Sequence, residues 1–211
     1  MSTAKLIRWS RLSSVLAGVL YALGTLIHPA GEDVAAMVRP AWIPAHALAG
    51  VSAIFRLFGL IGLYGCQAAK TGKPGLVGFI LTITGSVLLA WKYFSAATLF
   101  PVIAAKAPTL IEESVNAPSG AALVFELLLI VSFVVGFLLF GAATYRAGVL
   151  PRGSGLLLII GVVLSFGGMM SHVVGIVAAA VFGASLAWMG YAIWSSQGKF
   201  AQQHQPSPVG L

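Results

Sequence analysis

Six apolar segments, each near the length needed to cross a lipid bilayer as a helix, make up most of this 211-residue chain. The hydrocarbon core of a bilayer is about 30 Å thick and takes roughly 20 apolar residues in helical conformation. The segments lie at about 12–28, 42–65, 75–100, 120–144, 154–169 and 172–195. The last two form one continuous apolar stretch, which is predicted to break near Ser171-His172. The sequence therefore predicts an all-α integral membrane bundle of six transmembrane helices.

The composition excludes a soluble domain of this size. Hydrophobic residues make up 59% of the chain and charged residues 8%, whereas soluble domains carry about 25% charged residues. A bilayer solvates the apolar surface that such a chain could not bury. Residues 1–198 are therefore predicted to form one transmembrane domain, and the polar residues 199–211 a disordered cytoplasmic tail.

The distribution of positive charge predicts the orientation of the helices. Lys and Arg concentrate in the cytoplasmic loops of membrane proteins, so we interpret the net charge of +7 as a topology signal and not as affinity for nucleic acid. The basic residues that a six-helix arrangement places on one side are Lys5, Arg8, Arg11, Lys70, Lys73, Arg146, Arg152 and Lys199. Both termini are therefore predicted to be cytoplasmic.

The two longest outer loops are predicted to contain short helical pieces. Asp33 can cap a turn that ends before Pro40, and Thr109 and Glu112 have the spacing of a capping box. We expect these pieces to lie flat on the bundle and close the loops; the alternative is a lid over an outer pocket.

Ionisable residues inside predicted helices mark candidate sites, because a charge in a bilayer costs at least about 2.5 kcal/mol on insertion scales. These residues are Arg56, Lys92 and Glu126. Lys92 and Glu126 lie about 12 Å and 9 Å from the outer ends of consecutive antiparallel helices, so they are predicted to form an ion pair. Arg56 lies near the midplane, where it can compete for Glu126 or extend toward the interface.

Histidines lie at the outer ends of three predicted helices. His28 ends the first helix, His46 begins the second and His172 begins the sixth. Small residues share their helix faces, and small residues pack against other helices, so we expect the imidazoles to point into the bundle. Tyr21 lies on the same face as His28. The residues of this predicted outward-facing polar pocket are His28, His46, His172, Tyr21, Glu126, Lys92 and Arg56.

Three interpretations of the pocket remain open from the sequence. Neutral imidazole binds divalent zinc, copper or iron, and three histidines leave a coordination position for water or a carboxylate. Two histidines on facing helices, with His46 and His172 as the candidate pair, can instead ligate haem b. In the third interpretation the histidines bond carbonyls and water, and the Lys92–Glu126 pair stabilises the bundle. No HExxH or CxxCH motif chooses among them.

No catalytic residues are predicted. The sequence contains no GxSxG, P-loop or dinucleotide-binding fingerprint. Ser171 and His172 are adjacent and so do not face each other on a helix.

Three short patterns resemble those of a broad group of uncharacterised bacterial multi-pass membrane proteins. They are His28-Pro29, Trp42-Ile-Pro-Ala-His46 and Gly62-Leu-Tyr64 before a basic loop. The resemblance covers roughly the first half of the chain. It implies a bacterial inner membrane and a pairing of the two histidine segments around the first outer loop, and it implies no activity.

The predicted function is that of a membrane protein whose outer pocket binds a small ligand, a metal or haem. One alternative is an accessory or structural subunit of a larger complex, with other membrane subunits as partners. Another is a small transporter that uses Glu126 as its proton-coupling carboxylate.

Overall fold

The computed structural model describes residues 3–116, 119–168 and 171–195, and within them the chain is helical with short connections. The helices are α1 Thr3–Ile27, α2 Val34–Met37, α3 Trp42–Thr98, α4 Phe100–Lys106, α5 Pro108–Asn116, α6 Gly120–Ala147, α7 Arg152–Gly168 and α8 His172–Ser195. Four of the described helical stretches, Trp9–Ile27, α3, α6 and α8, are long and apolar enough to cross a membrane. This is consistent with a membrane protein. The tail predicted at 199–211 lies outside the described residues.

Helix α3 is a hairpin of two antiparallel arms, residues 42–71 and 73–98. Only Gly72 departs from helical geometry, with φ 58° and ψ −160°, a region that favours glycine. The rings of Tyr64 and Phe79 stack at 4.4 Å across the hairpin, and further along Phe94 packs on Gly50. The prediction of a loop between residues 65 and 75 is therefore wrong, since the connection is a turn at Gly72 alone.

The sequence around Gly72 explains why the helix continues so far. Residues 67–70 (Gln-Ala-Ala-Lys) are good helix formers, so the first arm runs past the predicted end at residue 65. Pro74 follows Gly72 by two residues, in the first turn of the second arm, where proline is tolerated because its missing N–H has no helical partner. One residue is then sufficient for the turn.

Small residues set the close contacts between α1 and its neighbours. Ser14 of α1 contacts Gly59 of the first arm. Gly18 of α1 meets Gly183 of α8 backbone to backbone, so that a Cβ on either glycine would overlap the other helix. Toward its start, α1 places the Arg11 guanidinium 5.4 Å from the ring of Trp194, near the end of α8. Helix α1 is thus antiparallel to both neighbours.

The second arm of α3 packs on α6 through the same kind of contact. Gly78 lies against Phe140, and Gly85 lies against Phe133. Because the pairing runs in opposite chain directions, these helices are also antiparallel. Helix α7 continues the pattern, with Gly155 against Gly141 of α6 and Gly161 against Phe182 of α8.

This packing groups the helix ends into two sets. One end of the bundle, which we call the basic end, carries Arg11, Lys70, Lys73, Arg146 and Arg152. The other, the histidine end, carries His28, His46 and His172.

A small helical cap covers part of the histidine end. It packs around the buried Trp42 with Ala36, Met37, Ala96, Ala104 and Ile111. The predicted cap of α2 is confirmed, since Asp33 Oδ1 accepts a hydrogen bond from the Ala36 amide at 2.8 Å. Helix α5 begins at Pro108, so Thr109 lies inside the helix and does not cap it.

Candidate metal and ligand site at the histidine end

A cavity of about 770 Å³ opens at the histidine end. Its walls come from α1, both arms of α3, α7 and α8. No described residue of α6 lines it. Exposed Gly31, Glu32 and Ser171 lie at its mouth. Tyr21 lines its inner part, seven residues before His28 and therefore about 10 Å deeper. The volume is within the roughly 300–1,000 Å³ of small-molecule sites.

All three predicted histidines line this cavity. The ring centroid of His28 lies 4.7 Å from that of His46 and 6.4 Å from that of His172. They converge because antiparallel packing brings together the end of α1 and the starts of α3 and α8.

The orientation of His46 is fixed by the preceding helical turn. Its Nδ1 lies 2.9 Å from the carbonyl oxygen of Trp42. A carbonyl only accepts hydrogen bonds, so Nδ1 carries the proton and Nε2 keeps its lone pair. The rings of Trp42 and His46 also lie 4.1 Å apart, and Trp42 is itself held by a hydrogen bond from Nε1 to the Ala96 carbonyl at 2.7 Å. Such an outer hydrogen bond is typical of histidines that ligate metals.

His28 and Glu32 complete a group of metal-ligand type. The Nε2 atom of His28 lies 3.7 Å from Glu32 Oε1, and His28 also hydrogen-bonds the carbonyl of Pro29. One ligand atom each from His28, Glu32 and His46 lies within 4.8 Å of the others. Burial lowers the pKa of His28 below 6.5, and nearby His172 acts in the same direction, against the hydrogen bond to Pro29. The ring is therefore neutral, as a ligand must be, at neutral pH.

The predicted Lys92–Glu126 ion pair is present, but it lies outside the cavity wall. Lys92 Nζ donates to the two carboxylate oxygens of Glu126 at 2.7 Å and 2.9 Å. Neither residue lines the cavity, whereas the next residue, Tyr93, does. Successive helical residues point about 100° apart, so an arm that turns Tyr93 inward turns Lys92 toward α6. The expectation that Lys92 and Glu126 line the pocket is corrected accordingly.

Arg56 is also absent from the cavity wall, and it neither pairs with Glu126 nor extends to the surface. Its side chain is 1% exposed. Its guanidinium carbon lies 5.5–5.8 Å from the centroids of four aromatic rings, those of Tyr21, Phe133, Phe137 and Phe182. Among the residues that the structure describes, none forms a hydrogen bond with its Nε, Nη1 or Nη2.

Glu32, Tyr93 and Trp42 belong to the site and were not identified from the sequence. Trp42 and His46 have the i, i+4 spacing of residues on one helix face, which was a usable signal. Glu32 comes to His28 through the irregular segment after α1, where Gly31 has a φ of 95°. No periodicity encodes that turn.

Comparison of the chain with protein-family models, with curated proteins and with solved structures finds no match. The function is therefore argued from the site alone.

Proposed function

We propose that this protein is a membrane protein that binds a divalent transition metal, zinc in the first instance, in its outer cavity. The ligands are His28, His46 and Glu32, and the convergence of their ligand atoms within 4.8 Å carries the proposal. Two imidazoles and one carboxylate form a set that zinc uses when it keeps a fourth position open for water or a ligand.

The ligand atoms need little movement to close on an ion. Zinc–nitrogen distances of about 2.0–2.1 Å place the ligand atoms of a tetrahedral site about 3.4 Å apart. The largest separation here is 4.8 Å at most, so closure by a little over about 1 Å is sufficient. Glu32 lies on a connecting segment between helices and is the ligand best able to move. His172, whose ring centroid lies 6.4 Å from that of His28, is available as a fourth ligand.

The geometry supports a single ion better than haem. Axial haem ligands lie on opposite faces of a porphyrin, whose nitrogens fill the plane between them. Here a third ligand, Glu32, converges on the same point as His28 and His46. The ring of His28 also lies close to both members of the pair expected for haem, 4.7 Å from His46 and 6.4 Å from His172. A Soret band in the purified protein would contradict this part of the proposal.

Metal content tests the proposal directly. The protein is purified through a tag without histidines, reconstituted in nanodiscs, and titrated with zinc by calorimetry. We expect about one zinc per chain, in keeping with one three-ligand site. His28→Ala and His46→Ala are expected to weaken binding beyond the roughly 10- to 100-fold typical of removing an outer hydrogen-bond partner.

The chain provides a matched control. His204→Ala removes a histidine that is not one of the proposed ligands and lies outside the described residues, and the variant is expected to bind zinc as the wild type does. Equal zinc affinity in wild type, His46→Ala and His204→Ala would overturn the proposal.

We further propose that the chain crosses a bacterial inner membrane six times with both termini in the cytoplasm. The six segments are α1, the two arms of α3, α6, α7 and α8. The hairpin at Gly72 and the gathering of basic residues at one end support this topology. The cavity then opens to the periplasm, and zinc reaches the site from that compartment.

The geometry favours metal binding over proton-coupled transport through Glu126. That carboxylate is held by Lys92 and lies outside the cavity wall. A transporter would need it on the ligand path.

A further inference from the structure

Arg56 is a buried cation to which no carboxylate of the described residues is paired. A guanidinium stays charged in any protein environment, and burying it without a hydrogen-bonded partner is costly. The four surrounding ring faces offset part of that cost. Ring faces do not replace the planar, forked acceptor that guanidinium prefers.

The acidic residues of the chain are all engaged or distant from Arg56. Sequence gives five of them. Glu126 bonds Lys92, Asp33 caps α2 and Glu32 lies at the cavity mouth beside His28. Glu112 and Glu113 are exposed on α5. None of these side chains supplies the anion that matches Arg56, so we look for it in a bound molecule.

Two tyrosines separate Arg56 from the cavity. Tyr21 lines the cavity and also presents its ring to Arg56, 5.8 Å from the guanidinium carbon. Tyr93 lines the cavity as well. The inner wall of the cavity thus offers phenolic O–H donors with a positive charge directly behind them.

We propose that the cavity binds a small organic anion, a carboxylate with an apolar body, whose charged group lies against Tyr21 and Tyr93 in front of Arg56. Phenolic hydroxyls donate to a carboxylate, and the low dielectric of the bundle strengthens the attraction of Arg56. About 770 Å³ leaves room for such a molecule below the metal ligands. The inference extends the proposed metal-binding function by naming a second ligand, but the anion site uses none of the metal ligands.

The test compares benzoate with benzamide, a neutral molecule of nearly the same shape. Both are titrated into the wild-type protein in nanodiscs after removal of metal with a chelator. We expect benzoate to bind about 10- to 100-fold more tightly than benzamide, as charge-assisted hydrogen bonds allow. Equal affinities, or no binding of either molecule, would overturn the inference.

Substitutions then locate the site. Arg56→Met is expected to abolish the preference for benzoate, and Tyr93→Phe to reduce it by about 2- to 10-fold through loss of one hydrogen bond. As a control for charge, Lys92→Met combined with Glu126→Gln removes a cation outside the cavity and is expected to keep the preference. A preference retained in Arg56→Met would place the anion elsewhere.

If Arg56 served only to stabilise the fold, Arg56→Met would lower the melting temperature. The proposal predicts the opposite change. Methionine in place of an unpaired buried charge is expected to raise the melting temperature, so that loss of anion binding cannot be attributed to unfolding. Competition of oleate with benzoate would identify a membrane fatty acid as the source of the carboxylate, and its absence would identify a water-soluble acid. Zinc binding is measured in a separate titration without benzoate. The proposal of a zinc site and the proposal of an anion site can therefore each be contradicted without the other.

Discussion

Gly18 of α1 and Gly183 of α8 meet without any side chain between their backbones, and this crossing lies at nearly the same chain distance from His28 and from His172. Ten residues separate Gly18 from His28, and eleven separate His172 from Gly183. Each histidine is therefore about 15 Å along its helix from the crossing. The separation of the two helices at the glycines thus contributes to the width of the cavity mouth.

Gly183→Ala is predicted to destabilise the bundle. The new Cβ would overlap the Gly18 carbonyl, and overpacking of this kind costs about 1–3 kcal/mol or more because backbone must move. The melting temperature in detergent should fall. Gly65→Ala is the control, since a Cβ there meets nothing within 4 Å. Equal melting temperatures for the two variants would show that the crossing is not tight.

Trp42→Phe is predicted to weaken both the fold and the metal site. It leaves the buried Ala96 carbonyl without its hydrogen bond from Nε1, which costs about 1–3 kcal/mol. It also removes part of the ring surface against His46, so zinc affinity should fall. Thermal melting and zinc calorimetry measure the two effects. Trp91→Phe, at a tryptophan that is 59% exposed, should change neither, and a similar loss there would contradict the argument.

The Lys92–Glu126 pair is predicted to be worth more than the average surface pair. Glu126→Gln should lower stability by about 2 kcal/mol, the value of a hydrogen bond to a charged group, because it leaves the ammonium without its carboxylate. Combining it with Lys92→Met removes the unpaired charge and should restore part of the melting temperature. Strictly additive losses in this double-mutant cycle would mean that the two side chains do not interact.

A reporter fused after Lys199 is predicted to lie in the cytoplasm. Arg11, Lys70, Lys73, Arg146 and Arg152 gather at the basic end, and such positive residues direct a helix end inward. Green fluorescent protein at that position should fluoresce, whereas the same reporter inserted after Arg39, at the histidine end, should not. Fluorescence with the opposite pattern would reverse the orientation and remove the periplasmic opening of the cavity.

The sequence predicted the features that depend on local periodicity and on which end of a helix a residue occupies. The segment at 172–195 corresponds to α8 residue for residue. The meeting of three histidines and the pairing of Lys92 with Glu126 follow from depth along antiparallel helices.

The features that depend on rotation about a helix axis or on irregular backbone were not predictable. The second arm is rotated about its axis so that Tyr93 faces the cavity and Lys92 faces away from it. Packing of Gly78 and Gly85 on α6 sets this rotation. The aromatic surroundings of Arg56 are assembled from α1, α6 and α8. Only the assembled bundle brings those rings together.

The single-residue turn at Gly72 makes the hairpin of α3 a long lever. His46 and Tyr93 stand on opposite arms and face the same cavity, 26 and 21 residues from the turn, or about 39 Å and 32 Å along the helices. At such a distance a change of about 2° in the angle between the arms moves the outer ring by a little over about 1 Å. Such a movement widens or narrows the space between His46 and Tyr93, so the angle at the basic end of the protein and the width of the cavity at the histidine end are geometrically linked.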